Sequence, residues 1–213
     1  MIEIIYKDED LIVCVKPHGI LSVADSSNKE NLMSLITQEL SDGENKNLCP
    51  VHRLDRETAG VMVFARNTKS AAILSEDISN HTDFKKEYLL VVKGCPQDDD
   101  GVFEDLLFKD SSKNKVYVVK NNRKGVKYAK LQYKVLNKYE GMTLIKVRLF
   151  TGRTHQIRVQ FASRGMSIIG DRKYGGEKYP ILALYSHSIT FRQPTTKEVL
   201  SFQSQPTDEI FAK

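Results

Sequence analysis

Short apolar runs alternate with polar breaks marked by Gly or Pro, and the spacing of the runs sets the expected elements. Ile2-Glu3-Ile4-Ile5-Tyr6 and Leu11-Ile12-Val13-Cys14-Val15 read as strands, the second stopped by Lys16-Pro17-His18-Gly19. Between Asn31 and Ser41, Leu32, Leu35, Ile36 and Leu40 recur at helical spacing and predict a helix with one apolar face. Asp42 to Asn47 is polar and reads as a loop. Val61 to Ala65 is uniformly apolar, as a fully buried strand would be. Thr68 and Ser70 can cap a helix reaching about Ile78, with Ala71, Leu74 and Ile78 on one stripe.

Lys85 to Val92 predicts a strand closed by Gly94 and Pro96, and Asp98 to Gly101 a solvated turn. Lys115 to Lys120, Tyr128 to Leu136 and Thr143 to Phe150 are further strands rich in Val, Tyr, Leu and Ile. Lys109 to Lys115 and Lys120 to Lys127 are basic connectors. Thr151-Gly152 breaks the last of these strands. His155 to Arg164 then predicts a helix with Ile157, Phe161 and Ala162 inward and Gly165 as its C-terminal stop. Gly170-Asp171 and Gly175-Gly176 read as turns. Ile181 to Ser186 and Ser188 to Arg192 read as late strands before a polar tail. Many short strands with few helices predict an α+β fold, a mixed, mostly antiparallel sheet with a few flanking helices. Without a repeat, a low-complexity tract or a linker, residues 1–213 are expected to form a single domain.

Composition narrows this frame. At 213 residues, 40% hydrophobic and 28% charged, the chain is ordinary globular material. Its 32 Lys and Arg against 27 Asp and Glu leave a net charge of +5, which permits an anionic partner. Cys14, Cys49 and Cys95 are odd in number and show no CxxC spacing. The acidic start MIEIIYKDED lacks the bases of a signal peptide, so a cytoplasmic location with unpaired thiols is expected. No apolar run reaches membrane length, so no membrane partner is expected. With no Trp in the chain, stacking on a base or sugar falls to Tyr, Phe, His or Arg.

Common catalytic signatures are missing: there is no P-loop, no GxGxxG after a strand, no HExxH and no GxSxG. The His and Cys residues sit at no zinc-like spacing, so no metal is expected. Two stretches remain. The first is Val51 to Gly60, VHRLDRETAG, which sets five ionisable side chains before a buried strand. If it is extended, Arg53 and Asp55 point one way and His52 and Leu54 the other. It then serves either as a charged turn, with Asp55 and Thr58 capping it, or as a carboxylate lining a cleft. The second is Thr151 to Arg158, TGRTHQIR, at a strand-to-helix junction. Unpaired N–H groups there, with Arg153, Thr154 and His155, either bind phosphate or merely cap a helix. Arg158 faces elsewhere and can reach a carboxylate on a neighbouring strand. Tyr88 shares a strand face with Leu90 and Val92 and by itself reads as core.

Together these stretches resemble the RluA family of RNA pseudouridine synthases. The resemblance is carried in order by Lys16-Pro17-His18-Gly19, His52 to Gly60, Lys86 to Gly94, Thr151 to Arg158, Ile169-Gly170-Asp171 with Tyr174-Gly175, and His187 to Pro194. It spans nearly the whole chain. It implies the family's catalytic fold with a central RNA-binding cleft, and isomerisation of uridine to pseudouridine in structured RNA, ribosomal or transfer. The N1–C1′ bond breaks and the base rejoins the sugar through C5, so no cofactor is implied. Asp55 aligns with the essential aspartate, acting by attack on C1′ or by removing the 2′ proton. Arg158 is implied as the cation that keeps it ionised, and Tyr88 as the residue stacking on uracil. Arg53 is implied in flipping the base out of its stack, and His52 is placed with the substrate-binding residues. Arg153, Thr154 and His155 are implied as phosphate contacts.

Some positions depart from the family pattern. Ala59 stands where Ser is frequent, and Gln160 and Gln193 stand near common His positions, where an effect on RNA contacts is expected. The resemblance starts close to the N-terminus, so the S4-like RNA-binding domain of many relatives is expected to be missing. Substrate choice then falls to the basic connectors. A monomer is expected, since no exposed apolar stripe remains. Two other readings are an RNA-binding module lacking catalysis and a carboxylate glycosidase built on Asp55 and Glu57. The second lacks an opposing carboxylate across a cleft.

Overall fold

The computed structural model describes residues 2–25, 30–40, 47–80 and 83–212. The chain divides into two compact units, Met1–Lys86 with Ser186–Pro206, and Glu87–Tyr185 with Thr207–Lys213.

The first unit begins with β1 (Ile4–Lys7), β2 (Leu11–Lys16), α1 (Leu32–Glu39), β3 (Cys49–Pro50), β4 (Ala59–Ala65) and α2 (Thr68–Asn80). β4 is buried at every position, which is why AGVMVFA is apolar throughout rather than alternating. β2 runs antiparallel to it from Leu11 opposite Ala65 to Lys16 opposite Gly60. β5 (Lys85–Lys93) starts in this unit and crosses into the second after Lys86. β10 (Leu184–Arg192) re-enters at Ser186 and pairs antiparallel with β11 (Val199–Gln203). Leu11, Val13, Val61, Val63, Leu74, Phe84, Ile189 and Phe191 form one core cluster. Each such side chain contributes about 1.5–3 kcal/mol on burial. Gly60 has φ +115°, and a Cβ there would lie 2.2 Å from the carbonyl oxygen of Ser186. The last residue of the VHRLDRETAG stretch is therefore glycine because another backbone passes against it.

The second unit orders its strands β5, β9 (Met142–Leu149), β8 (Val126–Tyr139), β6 (Asp100–Asp110) and β7 (Lys115–Val119). The β6–β7, β6–β8 and β8–β9 pairs are antiparallel. One face packs on α3 (Gln156–Ala162), with Leu107, Val116 and Ala129 against Val159, and Phe103 5.1 Å from Phe161. Cross-strand partners point to the same side. Glu104 opposite Lys130, Phe108 opposite Tyr117 and Gln132 opposite Arg148 therefore lie on the other face.

The fold is α+β with a mixed, mostly antiparallel sheet. Several elements differ from expectation. β6 occupies Asp100–Asp110, where a turn and no strand had been expected; its acids lie among apolar residues on both faces, which blurs the period-two signal. The late strands are one strand, β10, and the polar tail contains β11, whose Phe202 packs on the first core. α2 is capped by Asn67, whose side chain accepts from Ser70 N at 2.8 Å, and not by Thr68 or Ser70. Asn31 caps α1 in a reciprocal arrangement with Ser34. Ser41, and residues 42–46 of the expected loop, lie outside the described residues.

Candidate active site

The loop that carries Asp55 is held by backbone contacts from the turn after β2. Ser22 Oγ accepts from Leu54 N at 3.1 Å and donates to Leu54 O at 3.0 Å, bracketing the residue before Asp55. Lys16 is fully buried, and its ammonium donates to the carbonyls of Pro17, Ile20 and Arg56 at 2.9, 2.8 and 3.0 Å. Gly19 N donates to Arg56 O at 3.0 Å, and Arg56 Nε returns a bond to Gly19 O at 2.8 Å. His18 Nδ1 lies 2.7 Å from Glu57 O, and Thr58 N closes a turn onto Asp55 O at 3.0 Å. Leu54 is buried and Arg53 exposed, the alternation expected for an extended approach. Asp55 is half-buried. The Lys16-Pro17-His18-Gly19 run, which carries no chemistry when read alone, is the clamp on this loop. Burial lowers the Lys16 pKa to about 8, against the opposing pull of the Glu57 and Asp55 carboxylates, with Arg56 adding to the depression.

His52 is placed as a packing residue. Val63 N donates to its Nε2 at 3.3 Å, and its ring meets Phe84 edge-on at 5.7 Å. Burial first, and the Lys86 charge second, lower its pKa to about 3, so the ring is neutral at pH 7. It anchors the loop to β4. Tyr88 lies on β5 with only 6% of its surface exposed. Its neighbour Glu87 takes the Lys146 ammonium at 3.3 Å on the opposite face, so Tyr88 lies on the α3 side of the sheet.

Arg158, expected at a surface or reaching a strand, is buried on α3 and bound to Asp171. Nε donates to Oδ2 at 2.7 Å and Nη2 to Oδ1 at 2.8 Å. The Asp171 side chain has no exposed surface, and its Oδ1 also accepts from Lys173 N at 3.0 Å and Tyr174 N at 3.1 Å. The guanidinium lies 5.3 Å from the Tyr174 ring centroid. One edge of Arg158 is therefore fixed by a carboxylate that is itself fixed by backbone. By local pattern Asp171 is a turn residue inside a family motif; the Gly170-Asp171 dipeptide offers no local sign of a partner thirteen residues back.

The phosphate reading of TGRTHQIR changes in detail. α3 has seven residues, and Gln156 to Phe161 are all buried, so its start does not face solvent as expected. Gln156 closes that end, accepting from Thr151 Oγ1 and Arg153 N and donating to Lys130 O. His155 has φ 50°, and its Nδ1 lies 2.9 Å from Tyr174 Oη. Thr154 is exposed, and Arg153 reaches Tyr128 O through Nε at 2.9 Å. Gln160 and Gln193 are buried rather than set for RNA contact. Gln160 donates to Phe103 O and Asp105, while Gln193 donates to Asp8 and Asp10 and accepts from Thr195 N and Thr196 N. Among the described residues no group of three or more His, Cys, Asp or Glu is arranged to hold a metal.

Residues 10–163 match the family described as RNA pseudouridylate synthase. The chain belongs to that family. An uncharacterized RNA pseudouridine synthase of Aquifex aeolicus is 38% identical over 220 residues, covering 95% of this chain and 68% of that relative. A ribosomal large subunit pseudouridine synthase C of Pasteurella multocida is 31% identical over 217 residues, covering 98% of this chain and 65% of that relative. In fold, the human RNA pseudouridylate synthase domain containing 4 superposes with a TM-score of 0.81 at 22% identity, covering 99% and 90% of the two chains. The protein is an RNA pseudouridine synthase, an isomerase that converts uridine to pseudouridine in RNA. No helix among the described residues is long and apolar enough to cross a membrane.

Proposed function

We propose that this isomerase acts through Asp55 on a uridine extruded from a stem-loop of ribosomal or transfer RNA, as a cytoplasmic monomer built on one catalytic domain. The N1–C1′ bond breaks and a C5–C1′ bond forms. The proton on C5 leaves and N1 gains one, so atoms and electrons balance without a cofactor. Asp55 supplies the carboxylate, by attack on C1′ or by taking the 2′ proton. Tyr88 stacks on the uracil. Arg158 offers a guanidinium whose orientation is held by Asp171. Arg53, exposed two residues before Asp55, enters the space that the flipped base leaves. Arg153, Thr154 and His155 contact phosphates. The ribosomal assignment draws on the likeness to the ribosomal large subunit pseudouridine synthase C of Pasteurella multocida.

The observation that carries this reading is the clamp on the Asp55 loop. A charged turn with no task does not need a buried lysine and a bridging serine to hold its backbone from both sides. The test is Asp55→Asn, assayed by pseudouridine formation and by RNA binding. Isomerisation is expected to vanish while binding stays within about fivefold, since one surface contact is worth at most ~1 kcal/mol. Substantial turnover by the variant refutes the assignment. RNA binding without isomerisation by the unaltered protein favours a module lacking catalysis.

A further inference from the structure

The charge of the protein is concentrated in one unit. Glu87–Tyr185 with Thr207–Lys213 holds 20 Lys and Arg against 12 Asp and Glu, whereas the other unit holds 12 against 15. Part of that surplus stands on the sheet face turned away from α3, towards the end where β8 begins and β9 leads into TGRTHQIR. Phe150 sits there with two cations over its ring, Arg148 at 5.0 Å and Lys130 at 5.8 Å from the centroid. Tyr128, 45% exposed, is two residues from Lys130 on the same face, about 7 Å along the strand. Arg153 is tied to the backbone of Tyr128. The acids on this face are Glu104, matched by Lys130 at 2.6 Å, Glu87, matched by Lys146 at 3.3 Å, and Asp100, opposite Lys134 across β6 and β8. Among the described residues Arg148 and Arg153 have no carboxylate partner and Lys134 stands opposite Asp100 without an ion pair, so five cations face three acids and the surplus is positive.

We propose that this face, centred on Phe150, is a second RNA-contact surface, a stacking platform for an unpaired base of the substrate strand whose phosphates are held by Arg148, Lys134 and Arg153. It rests on the reading of Arg153 as a phosphate contact and extends that strand beyond the reacting uridine. Aromatic rings beside unpaired cations suit a single strand, whose bases present open π-faces, better than a duplex, whose bases are already stacked. Arg148 over the Phe150 ring sets a cation directly beside a base stacked there, where the backbone phosphate of that base would follow.

The test measures binding of a fluorescently labelled oligouridine and of an RNA duplex across salt from ~50 to ~200 mM. Phe150→Leu is expected to weaken oligouridine binding about tenfold and duplex binding less than about twofold. Arg148→Gln, an exposed-face change that leaves the core intact, is expected to make the salt slope of single-strand binding shallower by about 0.7. Wild-type affinity and slope in both variants overturn the proposal, as does an equal loss on single strand and duplex. Unfolding midpoints identify a variant that fails to fold, and in that case Arg148→Gln alone decides. Pseudouridine formation by the unaltered protein on cellular RNA separately reads the catalytic assignment, so the two can fail independently.

Discussion

Asp171→Asn gives a direct measure of how Arg158 is held. The substitution keeps shape and keeps one oxygen for Lys173 N and Tyr174 N, but it sets an amide donor against the donors of Arg158. The pair is almost fully desolvated, with side-chain exposures of 7% for Arg158 and 0% for Asp171, so water cannot replace the lost acceptor. Breaking such a pair from one side costs about 3–5 kcal/mol because the remaining charge stays buried. The retained backbone contacts place Asp171→Asn near the lower end, about 3 kcal/mol. At ~2–4 °C per kcal/mol for a chain of this size, the unfolding midpoint should fall by about 10 °C. The double variant Arg158→Met with Asp171→Asn should regain about half of that loss, since no buried charge is then left unpaired. Urea unfolding followed by circular dichroism reads the stabilities, and pseudouridine formation is measured on the same samples. Recovery of stability without recovery of activity is the expected combination, because the double variant lacks the guanidinium. A loss under ~0.5 kcal/mol for Asp171→Asn, or strictly additive losses, would show that the bidentate pair does not hold Arg158.

Three further outcomes are expected. The rate of isomerisation should fall as pH rises through about 8, because Lys16 then loses one of three N–H donors on the clamp. Its folded pKa lies below its ordinary value, so the protonated group costs stability below about pH 8 and that cost fades above it. The urea midpoint should therefore not drop across this limb, and a Lys16→Met protein that keeps the same alkaline limb would show that the limb does not come from Lys16. Gly170→Ala should cost about 3 kcal/mol, since φ is +79° and a Cβ would stand 1.8 Å from Ile181 O; an unchanged melting temperature would refute that contact. Arg53→Ala should slow isomerisation of stem-loop RNA more than that of unstructured RNA, and equal slowing on both would remove it from base flipping.

The chemistry was legible in the sequence where it was local. VHRLDRETAG announced its carboxylate, its extended approach and its buried strand within ten residues, and Leu54 in and Arg53 out follow from alternation alone. Elements with a clean period, such as α1 and the apolar β4, were equally plain. β6 and β11 were not, because Val102, Glu104, Leu106 and Phe108 share one face and Leu200 and Phe202 alternate within a polar tail. The family motifs marked Lys16 and Asp171 without giving their tasks. Lys16 acts on carbonyls up to 40 residues away, and Asp171 receives a guanidinium from 13 residues upstream. Short-range pattern reports what a residue does to its own strand or helix. Which buried lysine meets which carbonyls, and which histidine packs on Phe84, depends on desolvation by chain segments distant in sequence, and only the folded tertiary structure sets that.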